Sequence, residues 1–181
     1  MTVPDLDWPK ALIITILVLG LFFGANYFYQ YHFKKAPFLE DICRLEAVDR
    51  AEIISEKGSD TLIITPDPAY RGLLQDLYSA VEKNLAAVYR DPPAIRIEDR
   101  RSATLDRFAA AASPAIYEAA RSGRYRQGAS HIDDIAAAYG LTDAILTVDS
   151  RYLYLQARDS GYFLYQIVPL PPFQEGDGAD A

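Results

Sequence analysis

Residues 11–31, ALIITILVLGLFFGANYFYQY, hold no charged side chain. A helix rises about 1.5 Å per residue and a bilayer's hydrocarbon core is about 30 Å thick, so about 20 such residues suffice to cross it. The run meets that length, and no other feature so limits what the chain can fold into. Trp8 precedes it and Tyr27, Tyr29 and Tyr31 close it, where amphipathic rings favour the headgroup layer. Lys10 on one side and Lys34 and Lys35 on the other can extend their amines to water. A cleaved secretory signal would carry a basic start and an apolar stretch of only about 7 to 15 residues ending at small side chains. Here Asp5 and Asp7 occupy the start and no A-x-A pattern precedes the tyrosines, so a retained signal-anchor is expected.

Lysine and arginine counts set the expected orientation. Lys10 stands alone before the span, whereas Lys34, Lys35, Arg44 and Arg50 follow it, which favours a cytoplasmic C-terminal part. Gly20 and Gly24 form a G-x-x-x-G pair, and small residues four apart let two helices approach closely in lipid, so a homodimer through the span is a candidate.

The rest has the make-up of a folded domain. Of 181 residues, 50% are apolar and 24% charged, enough for one ordinary core beside the span. The net charge of −7 argues against a sequence-independent nucleic-acid binder, whose affinity comes from cations displacing counterions. With Cys43 the only cysteine, an intramolecular disulfide is impossible, and a small core residue is expected there.

Periodicity orders the soluble part as helix, hairpin, long helix, strand, Ala-rich helices and meander. Phe38, Ile42 and Leu45 share a helical face after Pro37. AEIISEK and TLIITP flank GSD as a hairpin, with Ile53 or Ile54 opposite Ile63 or Ile64. Asp67 and Pro68 read as a helix start before Leu73, Leu74, Leu77, Val81, Leu85 and Val88, until RDPP stops the helix. AIRI reads as a strand. Residues 103–121 read as a helix that Ser113–Pro114 kinks or restarts and Gly123 closes. Ser130 and Asp133 have capping-box spacing, and Gly140 ends that helix. AILTV, YLYLQAR and YFLYQIV then form three strands. A three-residue turn at Asp159–Gly161 would pair Leu153 with Ile167, Leu155 with Tyr165 and Ala157 with Phe163.

This predicts an α+β protein, with one transmembrane helix before a compact two-layer domain. The expected boundaries are a short tail at 1–10, the span at 11–31, a juxtamembrane helix and linker at 32–49, the domain at 50–170, and a disordered tail at 171–181.

Residues 131–142, HIDDIAAAYGLT, place Ile135 and Ala136 inward with Gly140 and Leu141 behind them. They resemble the first half of a winged helix-turn-helix, with a second helix from Thr142 and YLYLQARDSGYFLYQI as wing; the resemblance implies a membrane-tethered DNA-binding regulator. The recognition helix would then be DAILTV, whose β-branched apolar residues suit a strand. Asp133, Asp134, Asp143 and Asp149 against Arg151 would also repel phosphates, so nucleic acid is an unexpected partner.

No Walker loop, G-x-S-x-G, H-E-x-x-H or Cys/His cluster is present, so no catalytic residue, metal ligand or cofactor is assigned. His131 beside Ser130 reads as a first-turn residue after a cap. Arg100, Arg101, Arg121, Arg124 and Arg126 form a candidate anion patch around the Ala-rich helix. Tyr152 and Tyr154 with Arg151 and Arg158 form a candidate partner-binding face, set against a sheet face covered by the chain's own helices. The expected function is that of a single-pass, non-enzymatic subunit, scaffold or assembly factor that contacts the bilayer and an unidentified protein. A membrane-anchored ligand-sensing domain is a further alternative.

Overall fold

The computed structural model of the chain describes residues 8–30, 36–56 and 59–171. The uncharged run lies mostly in α1 (Trp8–Gln30), and the side chains described there, residues 12–25, are all exposed. Residues 12–25 make a rod about 21 Å long, short of the hydrocarbon core. Among the described residues no helix is long and apolar enough to cross a membrane, so the expected span at 11–31 is not supported by them.

The chain next forms α2 (Ala36–Cys43) and an antiparallel hairpin, β1 (Val48–Glu56) with β2 (Ser59–Pro66). Glu56 opposite Ser59 leaves a connection of two residues, 57–58, and this sets Ile53 against Leu62 and Ile54 against Thr61. None of the expected isoleucine pairs is made. β3 (Ala94–Ile97) joins β2 in parallel, with α3 (Leu74–Val88) as the crossover helix.

α3 begins later than its sequence suggested. Asp67 and Pro68 make a separate turn, in which the Asp67 carboxylate accepts from the Ala69 N–H at 2.6 Å and the Asp67 carbonyl from the Tyr70 N–H at 2.9 Å. The helix has two apolar stripes at four-residue spacing. Leu77, Val81 and Leu85 pack on the first sheet with Phe38, Ile42, Leu62 and Ile64. Leu74 and Tyr78 pack on a second sheet with Tyr154, Phe163 and Tyr165.

That second sheet is a meander of β4 (Asp143–Val148), β5 (Tyr152–Asp159) and β6 (Tyr162–Pro169). Its final turn is two residues long rather than three. Ser160 and Gly161 both take positive φ, at 47° and 86°, the twist that suits a two-residue hairpin. Leu153 therefore meets Val168, Leu155 meets Gln166, and Ala157 meets Leu164. The one-residue shift sends Phe163 and Tyr165 to the α3 side instead of beside Ala157 and Leu155. The other face of this sheet is covered by α4 (Ala103–Ser122) and α5 (Tyr125–Ala138), with Leu105, Phe108, Ile116 and Ile132 at the centre.

The architecture is α+β and compact, but its strands belong to two three-stranded sheets with α3 between them, so two layers understate it. Arg100 and Phe163 exchange backbone hydrogen bonds of 3.0 and 2.8 Å, which ties β6 to the segment after β3. α4 runs unbroken through Pro114. Ala110 and Pro114 both lie on its exposed side, where water can take the carbonyl that the proline leaves unpaired. Gly123 at φ 69° closes α4, and α5 starts at once, so Ser130 and His131 sit within α5 rather than at its cap. Gly140 ends α5 at φ 71°, with the Leu141 N–H on the Ala136 carbonyl at 2.9 Å. Cys43 is exposed at the end of α2, contrary to a core placement.

Candidate binding groove

The stripe Leu74–Tyr78 continues four residues further to Glu82, and this positions a carboxylate over the start of β5. There it pairs with Arg151, in the turn that joins β4 to β5. A groove of about 510 Å³ opens at this junction, lined by Tyr78, Glu82, Lys83, Arg151 and Tyr152 with Pro92 and Pro93 opposite. The prolines that stop α3 thus form a wall of the groove.

Asp149 fixes the backbone of two lining residues, Arg151 and Tyr152. One carboxylate oxygen accepts from the Arg151 and Tyr152 N–H groups, both at 2.7 Å, and the other from the Tyr154 hydroxyl at 2.7 Å. Partial burial pushes this carboxyl up, but the Arg151 N–H, the Tyr154 hydroxyl and the Tyr152 N–H outweigh it, and it titrates below its ordinary value. Tyr78, Tyr152 and Tyr154 form a ring cluster with centroids 5.2 to 6.1 Å apart. Burial, then its bond to Tyr152, raises the Tyr78 phenol far above the usual range. Burial, then Asp149, does the same for Tyr154. Both stay neutral at any physiological pH. Glu82 in turn holds the Arg151 guanidinium charged, and Arg151 also stands 5.4 Å over the Tyr152 ring.

Of the expected partner-binding face, Arg151 and Tyr152 line the groove. Tyr154 is 1% exposed beneath it, covered by the chain's own α3. Arg158 lies at the far end of β5, bound to Asp143 at 3.1 Å and the Tyr70 carbonyl at 2.7 Å. The expected anion patch is divided. Arg101 and Arg121 sit at opposite ends of α4, separated by about 30 Å of helix. Arg100 donates to the Gly161 carbonyl at 2.6 Å and stacks over Tyr162 and Phe163. Arg101 pairs with Asp99 at 2.7 Å, and Arg124 with Glu118 at 2.8 Å. Arg121 and Arg126 are exposed near the α4–α5 turn.

Around Gly20 and Gly24 an added Cβ would meet nothing within 4 Å. Trp8, Lys10, Tyr27 and Tyr29 lie on α1 with side chains outside the described residues, and Tyr31, Lys34 and Lys35 are wholly outside them, as is the expected disordered tail from 172 on. Among the described residues no group of histidine, cysteine and carboxylate side chains could hold a metal ion. DAILTV is the strand β4, so no second helix follows Gly140 and the helix-turn-helix resemblance ends there. Tyr78 and Glu82 went unnoticed in the sequence, and Asp149 entered only as a charge that would repel phosphates. Only D-S-R, a turn signal with an aspartate first, could have pointed to Asp149.

No family model, curated protein or solved structure matches the chain.

Proposed function

We propose that the chain is a membrane-anchored, non-enzymatic interaction subunit. Segment 11–31 inserts in the bilayer, and the groove between α3 and the start of β5 receives a protein partner. One observation carries the anchor: the large apolar side chains of α1 between Leu12 and Phe23 are 49 to 73% exposed, with no charge among them. So continuous an apolar rod favours lipid over water. The positive residues after it, Arg44 and Arg50 with Lys34 and Lys35, favour a cytoplasmic domain. Gly20 and Gly24 offer a close-packing face to a second copy.

The groove joins an exposed arginine to tyrosines already held rigid by Asp149 and α3, the residue types that carry binding energy at little entropic cost. Its size also suits a small ligand, which supports a sensing domain as the second reading.

Carbonate extraction and protease treatment of sealed vesicles test the anchor. The full chain is expected in the pellet with its domain digested only from the cytoplasmic side; recovery in the supernatant would overturn the reading. A photo-crosslinker at Tyr152 in native membranes tests the groove, which fails if no protein is captured there.

A further inference from the structure

We propose that the free edge of β4 pairs with the same edge of a second copy, antiparallel about Leu146, and joins the two meanders into one continuous sheet. Within the chain β4 pairs with β5 alone, and among the described residues no other hydrogen bond reaches the backbone of residues 144–148. The Asp149 N–H donates to the Tyr152 carbonyl at 3.0 Å, which makes those two a hydrogen-bonded pair. Such pairs alternate along an antiparallel ladder. Thr147 and Ile145 therefore bond β5, while the N–H and C=O groups of Ala144, Leu146 and Val148 point away from it.

This edge lacks the features that keep strand edges apart. β1, at the edge of the first sheet, carries Asp49, Arg50 and Glu52 and a register shift between Val48 and Arg50. The outer edge of β6 is tied at Phe163 to Arg100. Residues 144–148, AILTV, hold no charge, proline or bulge.

The edge is also its own complement. A two-fold axis at Leu146 sets that residue opposite Leu146 of the second copy and Ala144 opposite Val148, so each outward N–H meets an outward carbonyl. Ile145 and Thr147 then face each other across the junction in non-hydrogen-bonded pairs, where side chains lie closest. This gives Ile145 packing that it lacks within the chain, where it is half-buried and joins no hydrophobic cluster of the described residues. On the other face Ala144, Leu146 and Val148 lie at the margin of the α4–α5 core and extend that apolar layer into the second copy. At the strand ends Asp143 meets Asp149 of the second copy, but it arrives already paired with Arg158 at 3.1 Å. The surface involves neither α1 nor the groove, so it stands or falls apart from the function proposed above.

The test mixes two full-length variants in detergent, both carrying Cys43→Ser, one with Ile145→Cys and the other with Thr147→Cys, and oxidises them. Mass spectrometry of the disulfide-linked peptides then separates mixed products from those between identical variants. Residues directly opposite have Cβ atoms about 4.5–5.5 Å apart and diagonal ones about 7–8 Å, and a disulfide needs about 3.5–4.5 Å. The mixed disulfide is therefore expected at roughly fivefold or more above its statistical share. Ala144→Pro, which removes an outward N–H and leaves the ladder to β5 intact, should lower that yield by about tenfold. A mixed product at or below the statistical share would overturn the proposal, whether from random encounter, another register or an edge reserved for a different protein. So would a yield that Ala144→Pro leaves unchanged. Should that variant fail to fold, the ratio of mixed to identical products decides alone.

Discussion

Gln156 is 4% exposed, and its amide joins residues far apart in the chain. Its carbonyl oxygen accepts from the Leu74 N–H at 2.5 Å, and its nitrogen donates to the Gly72 carbonyl at 3.4 Å. A side chain of the second sheet thus satisfies an N–H at the start of α3, whose own boundary residue, Leu73, provides no side-chain cap. Gln156→Ala leaves that buried donor unpaired and is expected to cost about 1–3 kcal/mol in urea denaturation. Asp149 is expected to show its role through pH. Its folded-state carboxyl titrates below the ordinary 3.8, so its contribution is complete above that value and is lost as pH falls through the lower one. The stability gap between wild type and Asp149→Asn should be widest above about pH 5 and close on acidification; a gap unchanged down to pH 2 would refute it. Gly128 belongs here too. A Cβ there would come within 2.6 Å of the Ala119 Cβ, so Gly128→Ala should push α5 off α4 and cost about 1–3 kcal/mol by thermal melting. Sequence cannot disclose such residues, because their partners are set only when distant elements meet.

Elements were far more legible, since periodicity is local. The α3 stripe, the AIRI strand, DAILTV as a strand, and the closures at Gly123 and Gly140 all follow from spacing and turn residues. Registers were not legible. Ser160 accepts a positive φ that a non-glycine residue seldom takes, and the turn shortened by one residue as a result. A capping pattern misled twice, at Asp67–Pro68 and Ser130–Asp133. In the first the carboxylate found a nearer turn N–H, and in the second α5 had already begun at Tyr125. Pro114 provides the prediction at this scale. Inside an unbroken α4 it forgoes a backbone hydrogen bond, so Pro114→Ala should stabilise the chain by about 1–3 kcal/mol, read as a higher denaturation midpoint.

At the scale of the whole molecule, the long uncharged run was the most legible feature of the sequence, and the groove the least, because its walls come from α3, β3 and the β4–β5 turn. If the first helix pairs in lipid, replacing Gly20 and Gly24 with leucine should abolish self-association in detergent, checked by light scattering. Neither change meets a neighbour within the chain, so an unchanged mass would retire the pairing. The position of α3 has one more consequence. Its two stripes are shared by both sheets, so neither sheet keeps a complete interior without it. A cut at the exposed Arg101, between β3 and α4, would leave two pieces with matching unfinished surfaces. Co-expressed as separate polypeptides, they should reassemble, which makes this chain a natural split reporter.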